Sequence, residues 1–205
     1  MSYIFNEFSK GQSNGPSFSS VVSVAREKGY TEPHPADDLN GADVARKLTI
    51  LSRYIPSLRT SLPDGYKSVS TTSLVPAQLE GIATGDEFIQ KLPEFDSHFQ
   101  EMREQAARVG KVLRFVGVVD VQSGTIKANL EKWAENIFFG YRINADLIAY
   151  RYPNTHPFAT SLGGSDNIVM FHTERYSPRP LIVQGAGAGA AVTAMGVMSD
   201  LLKLV

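Results

Sequence analysis

Apolar residues recur at helical spacing through the first half of the chain and at alternate positions through much of the rest. Ile4, Phe5 and Phe8 share one helical face, and 11–15 reads as a polar turn. Ser17-Phe-Ser-Ser20 then opens a helix with Phe18, Val21, Val22 and Ala25 inward and Gly29 as its stop. A second stripe, Val44, Leu48 and Leu51, predicts a helix capped by Asn40 and running to about Tyr54, before Pro56. Residues 57–80 are rich in Ser, Thr, Pro and Gly and predict loop, with one short strand near 67–70. Further helices are expected over 84–92 and 95–109, the latter with Phe95, Phe99, Met102 and Ala106 as core.

From Gly110 the period changes to two. Residues 111–121 predict a strand, Ser123-Gly124 a turn, and 125–131 its hairpin partner. Residues 167–174 and 180–184 predict two more strands, and an apolar helix is expected over 191–204. Helices first and strands second favour an α+β fold, a mostly antiparallel sheet covered on one face by helices. Between the last strand and the last helix stands Gly185-Ala-Gly-Ala-Gly189. Such a strand–glycine–helix corner lets backbone approach a ligand closely, and it serves equally well as a tight packing corner.

Composition narrows the function classes. The 205 residues are 42% apolar and 20% charged, with a formal net charge of −1. That balance gives no electrostatic case for a nucleic acid or an anionic membrane surface. No apolar run approaches bilayer length, and residues 1–10 lack the features of a signal peptide, so a cytoplasmic protein is expected. Zero cysteines exclude disulfides, thiolate catalysis and cysteine-based metal sites, and the four histidines show no ligand-like spacing, so no metal is expected.

The densest chemistry lies between Gly29 and Lys47. Glu32, Asp37, Asp38 and Asp43 are followed by Arg46 and Lys47, while Pro33 and Pro35 should hold the first half extended. Asp43, expected at the third helical position, suits the helix dipole and is four residues from Lys47, on the same face. One reading is a capped surface helix behind a solvated acidic loop. The other is a polar pocket, with carboxylates for an ammonium group and a lysine positioned by a carboxylate for proton transfer. Spacing alone leaves both open.

Several motifs occur in a telling order: Ser2-Tyr-Ile-Phe-Asn-Glu-Phe-Ser9, Gly29-Tyr-Thr-Glu-Pro33, Asp37-Asp-Leu-Asn-Gly41, Asp43-Val-Ala-Arg-Lys47, His156-Pro-Phe-Ala159, Gly164-Ser-Asp-Asn167 and Gln184-Gly-Ala-Gly-Ala-Gly-Ala-Ala-Val-Thr193. Together they resemble the catalytic portion of homoserine dehydrogenases, the fungal type in particular, over nearly the whole chain.

The resemblance implies NAD- or NADP-dependent interconversion of L-homoserine and L-aspartate 4-semialdehyde, on the way to threonine and methionine. It implies that Glu32 and Asp38, with Tyr30 and Thr31, bind the substrate, and that Lys47, fixed by Asp43, acts on the reacting oxygen. Gly185, Ala186, Gly187 and Gly189 would lie against the nicotinamide. A homodimer through the sheet is also implied.

The resemblance divides the chain into a substrate-binding and dimerisation part, 1–184, and a glycine turn and helix, 185–205. That helix would return to a dinucleotide-binding (Rossmann) domain, which the family carries N-terminally and these 205 residues do not include. Three departures follow: that lack; His34 and Ala36 in place of an Asp and an Arg; and 133–151, which reads as an insertion. An alternative of a different class is a non-catalytic dimerisation module with the same fold.

Overall fold

The computed structural model describes residues 1–129, 142–144, 152–153 and 157–204. Helices α1 (Ser2–Phe8) and α2 (Phe18–Glu27) open the chain. The Ser17 side chain accepts the N–H of Ser20, capping α2 as its sequence predicts. Gly29, at φ 69°, ends that helix by donating to Arg26 O at 2.9 Å.

Two corrections fall in the acidic stretch. A short helix, α3 (Ala36–Leu39), replaces the extended chain expected there. Pro35 stands in the helical region (φ −61°, ψ −20°), where a proline's fixed φ suits a first turn. The N-cap of α4 (Ala42–Arg53) is Gly41 rather than Asn40. Gly41 adopts φ 79° to turn the chain from α3 into α4, and a β-carbon on it would come within 3.2 Å of the Phe115 ring. Asn40 still caps, because its Oδ1 accepts from Ala42 N at 2.9 Å. Asp43 is therefore the second helical residue, not the third.

Helices α5 (Gly85–Lys91) and α6 (Asp96–Arg108) match their predicted spans to within a few residues. The loop over 57–80 carries a 3-10 turn at Gly65–Ser68, and its strand, β1 (Ser70–Thr71), lies slightly later than expected.

The predicted strand over 111–121 is broken into β2 (Lys111–Val112) and β3 (Val116–Asp120). Arg114 breaks it: buried, it reaches the carbonyls of Phe5 at 3.1 Å and Ser9 at 2.8 Å on α1. β4 (Thr125–Asn129) completes the hairpin, followed by β5 (Arg142–Asn144), β6 (Tyr152–Pro153), α7 (Pro157–Thr160), β7 (Asp166–His172), β8 (Leu181–Ala186) and α8 (Ala190–Leu202).

Six strands form a sheet in the order β1-β4-β3-β5-β7-β8, antiparallel except for the β1–β4 pair; β2 and β6 pair separately. Of the stretch 133–151, Arg142–Asn144 pairs between β3 and β7, and the remainder lies outside the described residues. His156 and 130–131 lie outside them too.

The main core joins α1, α2, α4, α5 and α6 to the inner face of the sheet at Val119, Ile126 and Ala128. Phe18 is its centre, stacked on Phe99 at 3.8 Å between ring centroids and edge-on to Phe8 at 5.2 Å. Val118 and Met170 point the other way and pack with Leu162 and Ile168 in a smaller cluster, as strand alternation requires.

Candidate active site

The pocket is built from α1, the Gly29–Glu32 segment, α3, the buried start of α4, the Arg114–Val116 joint, β7 and the glycine turn. Together they enclose a cavity of about 600 Å³.

Helix α4 supplies one wall because its sequence is two-sided. Val44, Ala45, Leu48, Thr49 and Ser52 are buried against the sheet, and burying the larger aliphatic side chains among them contributes about 1.5–3 kcal/mol each. That anchorage holds Asp43 and Lys47 rigidly on the adjoining face. Lys47 Nζ donates to Asp43 Oδ2 at 2.8 Å, one turn earlier. The lysine side chain is 60% exposed and the aspartate 32%. An exposed i,i+4 pair adds little stability, so its worth lies in where it aims the ammonium.

The carboxylates arise from the turn between α2 and α3. Asp38 is 7% exposed, and its Oδ2 accepts the backbone N–H of Glu32 at 2.8 Å. This bond ties Glu32 and Asp38 into one loop. Burial pushes the Asp38 carboxyl above the usual carboxylate range, with Asp43 and Glu32 adding to the rise; the Met1 amino group, 3.8 Å away, and the Glu32 N–H oppose it. A buried carboxylate raised by desolvation is a site that gains from a cationic ligand.

Tyr30 forms the next panel. Its ring lies 5.0 Å from that of Tyr3 and touches Gly189, where a β-carbon would come within 3.3 Å of Cε1. Thr31 Oγ1 donates to Glu32 O at 2.9 Å.

The glycine segment is only partly as its sequence suggests. Gly185 and Ala186 are the last residues of β8, paired with Asn167 and Asp166, and do not line the cavity. Gly187 and Ala188 do, while Gly189, at φ 107°, is the N-cap of α8 behind Tyr30. The structure thus brings Tyr30, Thr31, Glu32, Asp38, Asp43, Lys47 and Gly187 to one cavity, with Gly189 just outside and Gly185 and Ala186 in the sheet.

Three lining residues escaped sequence reading. Asn6 and Arg114 are buried at 4% and 5% exposure, and Asn167 is the second residue of β7. Burial lowers the Arg114 guanidinium to about 10. The available signal was a polar residue inside an apolar run, Ile-Phe-Asn-Glu-Phe for Asn6 and Val-Leu-Arg-Phe-Val for Arg114. His34, by contrast, faces away from this chemistry. Its Nδ1 accepts from Ala36 N at 3.2 Å and its Nε2 bonds Ile82 O at 2.9 Å, fastening the acidic loop to the segment before α5.

Comparison with known proteins supplies context for this geometry. Residues 1–202 match the family model described as homoserine dehydrogenase. Homoserine dehydrogenase of Saccharomyces cerevisiae is 45% identical over 204 residues, covering all of this chain and 50% of that protein. The Schizosaccharomyces pombe enzyme of the same name is 47% identical over 206 residues, covering all of this chain and 48% of its own. A crystal structure of a Candida auris protein of unknown function superposes with a TM-score of 0.75 at 44% identity, covering 98% of this chain and 49% of that one. The chain spans about half the length of the curated relatives it matches.

Proposed function

The chain belongs to the homoserine dehydrogenase family, and from that premise we propose that its cavity takes L-homoserine beside NAD or NADP and interconverts it with L-aspartate 4-semialdehyde. This step serves threonine and methionine biosynthesis. The observation that carries the reading is the meeting of Glu32, Asp38, Asp43, Lys47 and Gly187 in one cavity of about 600 Å³.

Each residue then has a task. Glu32 and Asp38 hold the substrate ammonium, and that cation relieves the desolvation that raises the Asp38 carboxyl. Lys47 stands at the terminal oxygen, giving a proton when an aldehyde is reduced and taking one when the alcohol is oxidised. Its charge also stabilises the alkoxide character that develops on that oxygen. Asp43 keeps the ammonium aimed at that oxygen. Bound NAD(P) supplies the hydride acceptor or donor. Gly187 and Gly189 suit a place beside the nicotinamide, because a side chain at either position would crowd Asn167 or Tyr30 and fill the space beside the pocket.

The edge strand β8 exposes Leu181, Ile182 and Val183 at 40%, 40% and 55%, apolar side chains on both of its faces, which supports a homodimer formed through the sheet. The apolar α8, all of whose residues are unburied, supports docking of this helix on a dinucleotide-binding domain.

The test is homoserine-dependent reduction of NADP by the chain joined to such a domain. Turnover that Lys47→Ala removes is expected; no turnover, or turnover indifferent to Lys47, contradicts the proposal.

A further inference from the structure

The polar edge of α1 meets the start of β7. Ser2 Oγ donates to Asn167 Oδ1, and Asn6 Nδ2 donates to the carbonyls of Gly164 at 3.2 Å and Asp166 at 3.4 Å. With Asn167 Oδ1 turned to Ser2, its Nδ2 lies on the opposite side, toward the glycine turn. A β-carbon built on Gly187 would fall on that nitrogen and lie within 2.7 Å of Asn167 Cγ. The volume that a side chain at 187 would take is thus filled by the Asn167 carboxamide.

This contact sits where other restraints end. The β7–β8 ladder stops at the Asp166–Ala186 pair, and beyond it Gly187 N donates to Ser165 O at 3.2 Å. Gly187 is exposed, and α8 buries no residue that could steady it from behind. The turn is therefore set from the β7 side, through Ser165 and Asn167, and α1 holds that end of β7 in place. α1 is fixed in turn at its far end, where Arg114 reaches the Phe5 and Ser9 carbonyls.

We propose that Asn167, oriented by Ser2, is a positioning residue that sets how far Gly187 and Ala188 stand into the cavity opposite Lys47. It thereby sets the depth at which a nicotinamide ring can rest. Only this last step depends on the dinucleotide reading above; the placement of the turn by Asn167 does not.

Hydrogen exchange on the full 205-residue chain separates the two. In Asn167→Ala, amide exchange over 187–189 should accelerate about tenfold while α2 and α4 stay unchanged. Gly187→Ala should produce the same local loosening by displacing Asn167. In the Asn167→Ala background, the added Gly187→Ala should change exchange less than about twofold, because the obstacle is already gone. Asn167→Ser, which likewise removes the carboxamide from beside Gly187 but keeps a polar side chain, is the second variant if the alanine form does not fold, with the same acceleration expected. Unchanged exchange over 187–189, or effects of the two substitutions that simply multiply, overturns the inference.

Titration of the chain joined to a dinucleotide-binding domain, with NADPH read by its own fluorescence and with L-homoserine by calorimetry, then addresses the consequence. Asn167→Ala should weaken NADPH at least fivefold and leave homoserine within twofold. Equal losses for both ligands overturn a role specific to the turn. A wild-type form of that joined protein that binds homoserine but not NADPH refutes the dinucleotide reading and leaves the exchange result to decide for Asn167.

Discussion

Helix α4 lines the cavity and α8 follows directly on the glycine turn that does, yet the two, of 12 and 13 residues, are built on opposite plans. α4 buries an apolar stripe that includes Leu48 at 0% exposure and turns Asp43 and Lys47 toward the pocket. α8 carries Met195, Val197, Met198, Leu201 and Leu202 at 56–67% exposure and buries nothing among the described residues. The acid–lysine wall is therefore fixed by packing within this chain, whereas the glycine turn depends on β7 and on whatever covers α8. One half of the site is a rigid template, and the other is an arm held near it.

That contrast can be broken most forcefully at Lys47. Lys47→Ala should lower kcat for homoserine oxidation about a thousandfold with KM within severalfold, because its charge matters most as the oxygen's charge changes. Steady-state kinetics check this, and equal losses in both parameters would reduce Lys47 to a binding residue.

On stability, Leu48→Ala should cost about 2–5 kcal/mol in urea unfolding, whereas Leu201→Ala on α8 should cost less than about 0.5 kcal/mol. A large penalty at Leu201 would mean that α8 is packed after all.

A smaller effect sharpens the picture of the acidic wall. Burial holds the Asp38 carboxyl above its ordinary value. The folded state therefore binds this proton more tightly than the unfolded one, and the resulting stability is full in acid and lost as pH rises through the folded value. Asp38→Asn should melt above the wild type at pH 7, and the difference should vanish at about pH 3, below the unfolded carboxylate range. Calorimetric melting at the two pH values decides it, and a variant that melts lower at pH 7 would show that the carboxylate is structural.

Much of this was legible before any coordinates. Ser17, Gly29 and the stripe of α2 state a helix with both ends marked, and the i,i+4 spacing of Asp43 and Lys47 survives unchanged as a 2.8 Å contact. The α+β class and the hairpin of β3 and β4 likewise follow from the change of period at Gly110. What escaped depends on partners far along the chain. Arg114 interrupts a strand because α1 offers carbonyls more than a hundred residues away, and no local pattern records that. Asn167 meets Ser2, and Asn6 the carbonyls of Gly164 and Asp166, each across some 160 residues. Pro35 misled in a different way, since the same fixed φ serves extended chain and a helix start. The glycine run looked like one turn, yet its first two residues still pair in β8 because the opposing strand has residues left to bond them.

The acid–lysine wall as the seat of a small amino-acid alcohol is the claim on which the rest depends. Titration calorimetry of L-homoserine into the 205-residue chain, beside Glu32→Ala, tests it without requiring turnover. The account predicts saturable one-site binding, weakened about ten- to a hundredfold when the carboxylate is removed. Absence of binding, or an affinity that Glu32→Ala leaves unchanged, would contradict it.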